Sequence, residues 1–190
     1  GNIDDYAFLI WALIEMYEAT FELKYLEEAL NLNNIMADGF WDNDNSGFYI
    51  YSKNSEQLIY RPKEVYDGAV PSGNSVAAYC LKKLSNIIKS DYLEELAEKQ
   101  LEFISLKASN YPAGFSFCMI TLLNEIYPSK NLICVIKDEA DISELLKKIN
   151  LKFIPNLSIL VVNSTKEQIL IKDLEYTKEY KLINDQTTFY

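Results

Sequence analysis

Residues 6–20 read YAFLIWALIEMYEAT, a run in which only two Glu and one Thr are clearly polar. Asp4 and Asp5 stand just before this run, so the sequence predicts an N-capped helix that is covered on nearly every side. Residues 25–37 differ, because apolar side chains recur there at helical spacing while acidic and amide side chains occupy the other face. The first stretch therefore predicts an inner helix and the second an outer helix.

The same alternation continues further along the chain. Residues 75–89 are largely apolar, residues 92–107 are amphipathic, and a third inner-type segment, residues 113–127, follows Pro112. Buried and amphipathic helices that take turns are typical of antiparallel hairpins in two concentric layers. We expect helical hairpins over residues 5–127. The large side chains predicted to be buried are Phe8, Leu9, Leu13, Leu81, Leu84, Phe117 and Leu122.

The pattern changes after Pro128. Residues 132–136 and 157–162 are short runs of β-type residues on either side of a predicted helix at residues 141–149. This order predicts a βαβ tail. Residues 169–171 are a candidate for one more strand.

The predicted fold is therefore mainly α: a partial (α/α)6-type helical-hairpin toroid, similar to the six-hairpin glycosidases, with a small α/β carboxy-terminal tail. We divide it into a toroid fragment, residues 1–128, and a tail, residues 129–190. Two and a half hairpins do not close a ring. Either the chain is the carboxy-terminal part of a longer protein, which we prefer, or its open inner helices are buried against another copy.

Charge and composition exclude some classes of partner. The 190 residues carry 18 basic and 28 acidic side chains, a net charge of −10, which repels phosphate backbones and anionic lipid. Nucleic acid and membrane surfaces are therefore not expected as partners. The chain has no His, so any proton transfer must use carboxylates, Lys, Tyr or Cys.

The three cysteines, Cys80, Cys118 and Cys134, stand singly inside apolar runs without CxxC pairing. They predict buried free thiols in a reducing compartment, and we expect a cytoplasmic protein without a metal or a cofactor. Asp42, Asp44, Ser46 and Gly47 match the start of an EF-hand loop, but Lys53 stands where a bidentate Glu is needed. An Asx-rich turn explains this stretch better than a calcium site.

Residues 61–75, RPKEVYDGAVPSGNS, carry the strongest functional signal. Two glycines permit unusual turns, and Asn74 or Ser75 is expected to cap the next helix. Two interpretations of the charges remain open: a salt-bridge network that braces a long loop, or the polar floor of a pocket with tuned carboxylates. In either case we expect the loop at residues 61–74 to form part of the rim or floor of the toroid cavity, with Glu64 or Asp67 close to Arg61 or Lys63.

Residues 61–78 also carry a resemblance to a known family, together with residues 5–10 (DYAFLI), 17–21 (YEATF) and 47–49 (GFY). The chain resembles the thioredoxin-domain-containing proteins related to spermatogenesis-associated protein 20, also called the DUF255 family. The resemblance implies a three-part protein with an amino-terminal thioredoxin-like domain, a helical toroid similar to sugar epimerases and six-hairpin glycosidases, and a short carboxy-terminal region. This chain looks like the last two parts. It lacks the CxxC-type motif of the thioredoxin-like domain, so the resemblance implies no redox role for its cysteines. The resemblance does not imply a catalytic residue either.

Two functions from different classes follow. The first is a toroid that binds or processes a carbohydrate-like small molecule, because sugars stack on aromatic faces and glycoside cleavage needs two acidic side chains. An epimerase-type reaction suits the His-free segment less well. The candidates for catalysis are Asp67, Glu64 and Asp5. The residues expected to bind the ligand are Asp4, Asp5, Tyr6, Trp41, Arg61, Lys63, Tyr66, Asp67 and Asn74.

The second function is non-catalytic. The toroid then serves as a partner-docking or specificity module for the amino-terminal thioredoxin-like domain. In both cases we expect the isolated chain to associate with itself, because an open toroid exposes the apolar sides of its inner helices.

Overall fold

The computed structural model describes residues 1–56, 59–127, 129–138, 140–149, 151–165, 170–171 and 174–190. The helical part begins with two hairpins and ends with a single helix that follows a 3-10 turn at Pro112–Phe115. Its helices are α1 (Ile3–Thr20), α2 (Leu23–Phe40), α3 (Gly73–Ile88), α4 (Asp91–Ala108) and α5 (Ser116–Ile126).

These helices form two layers. Helix α1 packs against α2 and α3, while α3 packs against α4 and α5. The inner layer is therefore α1, α3 and α5, and the outer layer is α2 and α4. The predicted alternation of inner and outer helices, and with it the mainly α fold class with a small α/β tail, is confirmed.

The contacts of α1 define four faces, because successive residues of a helix are turned by about 100°. The Tyr6 ring lies 5.2 Å from the Phe40 ring of α2, and the Ala7 carbonyl accepts a bond from the Cys80 thiol of α3 at 3.6 Å. Opposite Tyr6, and so turned away from α2, runs a stripe that we call the α1 part of the inner face: Asp4, Phe8, Trp11, Glu15 and Glu18. Opposite Ala7, and so turned away from α3, runs the α1 flank: Asp5, Leu9, Ala12, Met16 and Ala19.

The α1 flank corrects the prediction that this helix is covered on nearly every side. Leu9 is 50% exposed and Met16 is 43% exposed, so the predicted burial of Leu9 is wrong. Apolar composition alone does not show whether a side of a helix is covered by the rest of the chain or is exposed. Leu81 and Leu84 are fully buried as predicted. The remaining predicted core residues are half-buried: Phe8, Leu13, Phe117 and Leu122.

The starts of α1 and α3 also differ from the prediction. Helix α1 begins at Ile3, so the acidic pair lies in its first turn, and the carboxylate of Asp5 accepts from the backbone N–H of Asn2 at 2.8 Å. Helix α3 is capped by Ser72, whose hydroxyl oxygen accepts from the N–H of Ser75 at 3.2 Å. Asn74 is therefore free to make tertiary contacts.

The tail is a three-stranded sheet with one helix. Strand β1 (Lys130–Ile136) pairs in parallel with β2 (Leu157–Asn163), and α6 (Ala140–Ile149) connects them. The predicted βαβ order is confirmed. Strand β3 (Thr188–Phe189), which the sequence did not predict, pairs antiparallel with β1 and gives the order β2-β1-β3. The candidate strand at residues 169–171 lies partly outside the described residues, and its described part, residues 170–171, is helical rather than extended.

The sheet packs directly on the helices. The Tyr17 hydroxyl donates to the Ile159 carbonyl at 3.1 Å and accepts from the Val161 N–H at 3.4 Å, and Tyr17 is completely buried. One hydrophobic core contains Leu81 of α3 and Ile136 of β1. The division into a toroid fragment and a tail at residue 128 stays a prediction.

The long connection between α2 and α3 makes isolated β-bridges. Phe48 pairs with Trp41 and Tyr51 pairs with Asn2. Within the described ranges, none of the helices is long and apolar enough to cross a membrane.

Candidate functional site

Residues 61–67 lie in the long connection, outside any helix or strand. Val65 and Asp67 are buried, whereas Glu64 and Tyr66 are exposed. The charged run is thus divided between two surfaces, and its members do not form one cluster.

Arg61 and Lys63, the two cations of this segment, brace the long connection through contacts with residues 42–51. The Lys63 ammonium donates to the carboxylate of Asp42 at 2.6 Å and to the Ser46 carbonyl at 2.5 Å. The Arg61 guanidinium lies 3.9 Å from the centre of the Tyr49 ring and donates to the Tyr51 carbonyl at 2.8 Å. Our prediction that Glu64 or Asp67 lies close to Arg61 or Lys63 is wrong. The physical reason is that both cations turn toward residues 42–51.

Asp42 is the centre of this braced network. Its carboxylate accepts from the Asp44 N–H at 3.0 Å, which makes the predicted Asx turn, and from the Tyr49 hydroxyl at 2.6 Å. Burial alone would raise the pKa of Asp42, but the hydrogen bonds from Lys63, Tyr49 and the turn outweigh it and hold the pKa far below its usual range. Gly47, at φ 81°, closes the turn where a Cβ atom would overlap the Phe103 ring. The turn interpretation of Asp42 to Gly47 is confirmed.

Asp67 joins the starts of two inner helices. One carboxylate oxygen accepts from the Ser72 N–H at 2.9 Å, and the other accepts from the N–H groups of Phe117 at 2.9 Å and Cys118 at 3.3 Å. The Ser72 hydroxyl lies 3.2 Å from the first oxygen, and Asp67 is 6% exposed. Carboxylates favour helix N-termini, where backbone N–H groups lack partners. These contacts describe a structural brace between α3 and α5, and a ligand role for Asp67 stays a prediction.

Asn74 is completely buried and ties the connection to two helices. Its side-chain amide donates to the carbonyls of Phe48 at 2.9 Å and Glu64 at 2.7 Å. Its oxygen accepts from the Phe48 N–H at 2.8 Å and from the Gln100 side chain of α4 at 2.9 Å. All of these partners belong to the protein, so the contacts of Asn74 are structural.

Three more predicted ligand residues lie apart from one another. Trp41 ends α2, with its ring 4.9 Å from the Phe48 ring, and borders the outer cleft, a cavity of about 720 Å³ between α2 and α4. Tyr6 packs against Phe40, and Asp5 lies on the α1 flank. The predicted ligand set is therefore distributed over several surfaces.

Asp4, Glu64 and Tyr66 lie at the amino-terminal ends of the inner helices. The Asp4 carboxylate accepts from the Gly73 N–H, and a Cβ atom at Gly73 would collide with it, so glycine permits the close approach of α3 to α1. Partial burial raises the pKa of Asp4, and the neighbouring carboxylates of Asp5 and Glu64 raise it further, while the bond from Gly73 opposes them. Tyr66 is 53% exposed, with its ring against Gly114.

Below these residues, the inner face is aromatic. The Trp11 ring lies 4.9 Å from the Phe117 ring of α5 and 6.0 Å from the Tyr79 ring of α3, so the three inner helices meet there. The Trp11 indole N–H donates to the carboxylate of Glu15 at 2.9 Å. The Glu18 carboxylate pairs with the Lys83 ammonium at 2.8 Å. The inner face thus presents aromatic rings between carboxylates.

Sequence reasoning missed most of the inner face. It selected Asp4, Glu64 and Tyr66 but not Trp11 or the rings around it. A signal was available, since the residues of the α1 stripe recur at intervals of four and three and therefore share one helical face. That stripe differs from the α1 flank in its carboxylates and large aromatic side chains.

Comparisons with known proteins agree with the resemblance found in the sequence. The chain is 28% identical over its full length to spermatogenesis-associated protein 20 of Rattus norvegicus and 27% identical to that of Homo sapiens. It is 29% identical over 86% of its length to an uncharacterised protein of Caenorhabditis elegans. The chain spans about a quarter of the length of these curated relatives. No protein-family model matches it. The predicted resemblance to spermatogenesis-associated protein 20 is thereby confirmed over the whole length of the chain.

Proposed function

We propose that the inner face of α1, α3 and α5 binds a carbohydrate-like small molecule. The observation that carries this proposal is the combination of half-buried rings, Trp11, Tyr79 and Phe117, with carboxylates at both ends of the α1 stripe. Sugar rings offer apolar C–H faces to aromatic side chains and hydroxyl groups to carboxylates. Ligand sites commonly combine an apolar lining with a few such polar groups.

The chemistry available at the rim favours a glycosidase-type reaction over epimerisation. Glycoside cleavage uses one carboxylic acid as a proton donor and a second carboxylate as base or nucleophile. Asp4, whose pKa is raised, suits the donor, and Glu64 suits the second role. Epimerisation needs a base active near neutral pH, and the chain has no His.

Within this proposal, the other predicted site residues act at a distance from the ligand. Asp67, Asn74 and Lys63 hold the connection and the starts of the inner helices, so they position Glu64 and Tyr66. Arg61 and Trp41 face the outer cleft. A cytoplasmic, reducing location is also part of the proposal, supported by three buried free thiols.

The test is a glycan array probed with the full-length protein and two variants. Trp11→Ala removes the central ring of the inner face and should abolish or strongly weaken each saccharide signal. Tyr92→Ala is the matched control, because Tyr92 is 57% exposed and borders the outer cleft. It should bind like the wild type. If Trp11→Ala still binds saccharide and Tyr92→Ala does not, the binding site is the outer cleft and not the inner face.

The alternative function is a non-catalytic docking module, and a different observation favours it. Two edges of the inner layer expose apolar side chains: the α1 flank, defined above, and the α5 flank, formed by Ile120, Leu123, Ile126 and Tyr127, which are 45% to 63% exposed. Such edges suit a partner domain, an amino-terminal thioredoxin-like domain, or a second copy. An array without any saccharide signal, together with self-association, would favour this alternative.

A further inference from the structure

The carboxyl-terminal end of the inner face meets the tail at a cavity of about 320 Å³. Glu15 and Glu18 of α1 and Tyr79 of α3 line one side of it. Lys152, Phe153 and Pro155, which precede strand β2, line the other side. The cavity therefore continues the surface that begins at Asp4.

This tail segment is anchored. It leads directly into β2, which the buried Tyr17 hydroxyl holds against α1 through Ile159 and Val161. The Leu157 N–H also donates to the Ile154 carbonyl at 3.1 Å, which makes a turn at the start of the strand. The same hydrogen bonds that hold the sheet against α1 therefore also fix the position of this wall of the cavity.

Two large apolar side chains of this segment are held in solvent. Phe153 is 93% exposed and Leu151 is 85% exposed, although exposing a large apolar side chain is unfavourable. Only Phe153 of the two borders the cavity. Its ring is thus available to a ligand that extends along the inner face, while Leu151 offers a control in the same segment.

The length of the surface indicates the class of ligand. From Asp4 to Glu18 the helix advances fourteen residues, or about 21 Å at 1.5 Å per residue. A single sugar cannot contact both ends of a surface this long. The Trp11 ring lies between the rim and the cavity, and the Tyr79 ring beside it borders the cavity, so an extended chain of sugars meets aromatic surface along the way.

We infer that the tail forms the far end of the carbohydrate site, where Phe153 receives the terminal unit of an oligosaccharide. This inference rests on the proposed function of the inner face. It assigns to the tail a role in selecting ligand length. Short saccharides contact only the rim and the Trp11 side chain, whereas longer saccharides also contact Phe153. Affinity should therefore rise with the number of sugar units until the cavity is filled, and then stay constant.

The experiment measures dissociation constants of the full-length protein for a length series of one saccharide, from the monosaccharide upward, by calorimetry. Phe153→Ala should weaken binding of the longer members about tenfold, the loss expected for one aromatic stacking contact, and leave the monosaccharide unchanged. Leu151→Ala should leave the whole series unchanged.

The outcomes separate the two proposals. If Trp11→Ala abolishes binding but Phe153→Ala changes nothing, the inner face is the site and the role of the tail is overturned. An equal loss for the monosaccharide and the longer members would also overturn the role of the tail in length selection. If the wild type binds no member of any series, both the proposed function and this inference are wrong.

Discussion

The two sides of the charged segment at residues 61–67 differ in what their polar groups contact. On one side, Lys63 and Asp67 are surrounded by partners from the protein itself: a carboxylate, backbone carbonyls and helix N-termini. On the other side, Glu64 and Tyr66 are exposed at the head of an aromatic surface, and Glu64 lies near the carboxylate of Asp4. Neighbouring residues in the sequence therefore have two different roles: some brace the fold, and others present a polar group to the solvent. The alternation of side chains along the backbone decides which role each residue has.

Loss of the Asp67 brace should give the largest effect on stability. Asp67→Asn keeps the shape of the side chain but removes the charge that accepts from the starts of α3 and α5. We expect the free energy of unfolding to fall by about 3 kcal/mol, which corresponds to roughly 6 to 12 °C in Tm. Thermal unfolding followed by circular dichroism measures this change.

Glu64→Gln is the matched control for that change, since Glu64 lies on the exposed side of the same segment. Its free energy of unfolding should stay within about 0.5 kcal/mol of the wild type. A stable Asp67→Asn protein that has lost saccharide binding would contradict the division between bracing and presentation, because Asp67 would then serve the ligand.

The Asp42 network should give a smaller effect that depends on pH. The folded-state pKa of Asp42 is depressed, so its contribution is fully present above the unfolded pKa of about 3.9 and is lost as pH falls further. We expect Asp42→Asn to cost about 2 kcal/mol at pH 7. The difference from the wild type should shrink steadily below about pH 4. Urea unfolding at a series of pH values measures it.

Asp44→Asn provides the control for the Asp42 network. Asp44 is exposed in the same turn and contributes its backbone N–H to Asp42, which the substitution keeps. Its unfolding should match the wild type at every pH. A difference for Asp42→Asn that stays constant down to pH 2 would show that its charge is not what stabilises the turn.

The last expected effect is a change of association state rather than of stability, and it concerns the α1 flank. Covering a large apolar side chain contributes roughly 1.5 to 3 kcal/mol, so we expect the 190-residue chain to associate at high concentration. Leu9→Glu places a charge in the flank and should shift the chain toward a monomer in light scattering. Ile35→Glu is the control, because Ile35 is 45% exposed on the outer helix α2, away from the flank. A wild-type chain that is strictly monomeric would contradict this expectation.

Most of the fold was predictable from periodicity, because helices that contact neighbours on several sides need apolar residues on several sides. That rule located α1, α3 and α5, and short runs of β-type residues on either side of a helical segment located the βαβ order of the tail. It did not predict β3, since two paired residues leave no pattern. It also assigned Leu9 to the core, because sequence does not record whether a neighbour is present.

The candidate site was less predictable, since it depends on which side of the chain each residue faces. Charge density in residues 61–75 led to Lys63 and Asn74, whose partners are internal and distant in sequence. The rings of Trp11, Tyr79 and Phe117, which meet edge to face, come from three helices, and only the packing of those helices brings them together. The residues of the α1 stripe could be read from the sequence, but the apolar composition of α1 did not show that the stripe, rather than the α1 flank, is the candidate binding surface.

The central claim, that the inner face rather than the outer cleft receives the ligand, is tested most directly by tryptophan fluorescence. The chain contains two Trp, one on each surface, so Trp41→Phe leaves Trp11 as the only reporter and Trp11→Phe leaves Trp41. Both variants are titrated with a saccharide that the full-length protein binds, and calorimetry checks that each still binds it. We predict a saturable change in emission from Trp11 and none from Trp41. A response from Trp41 with a silent Trp11 would contradict the account.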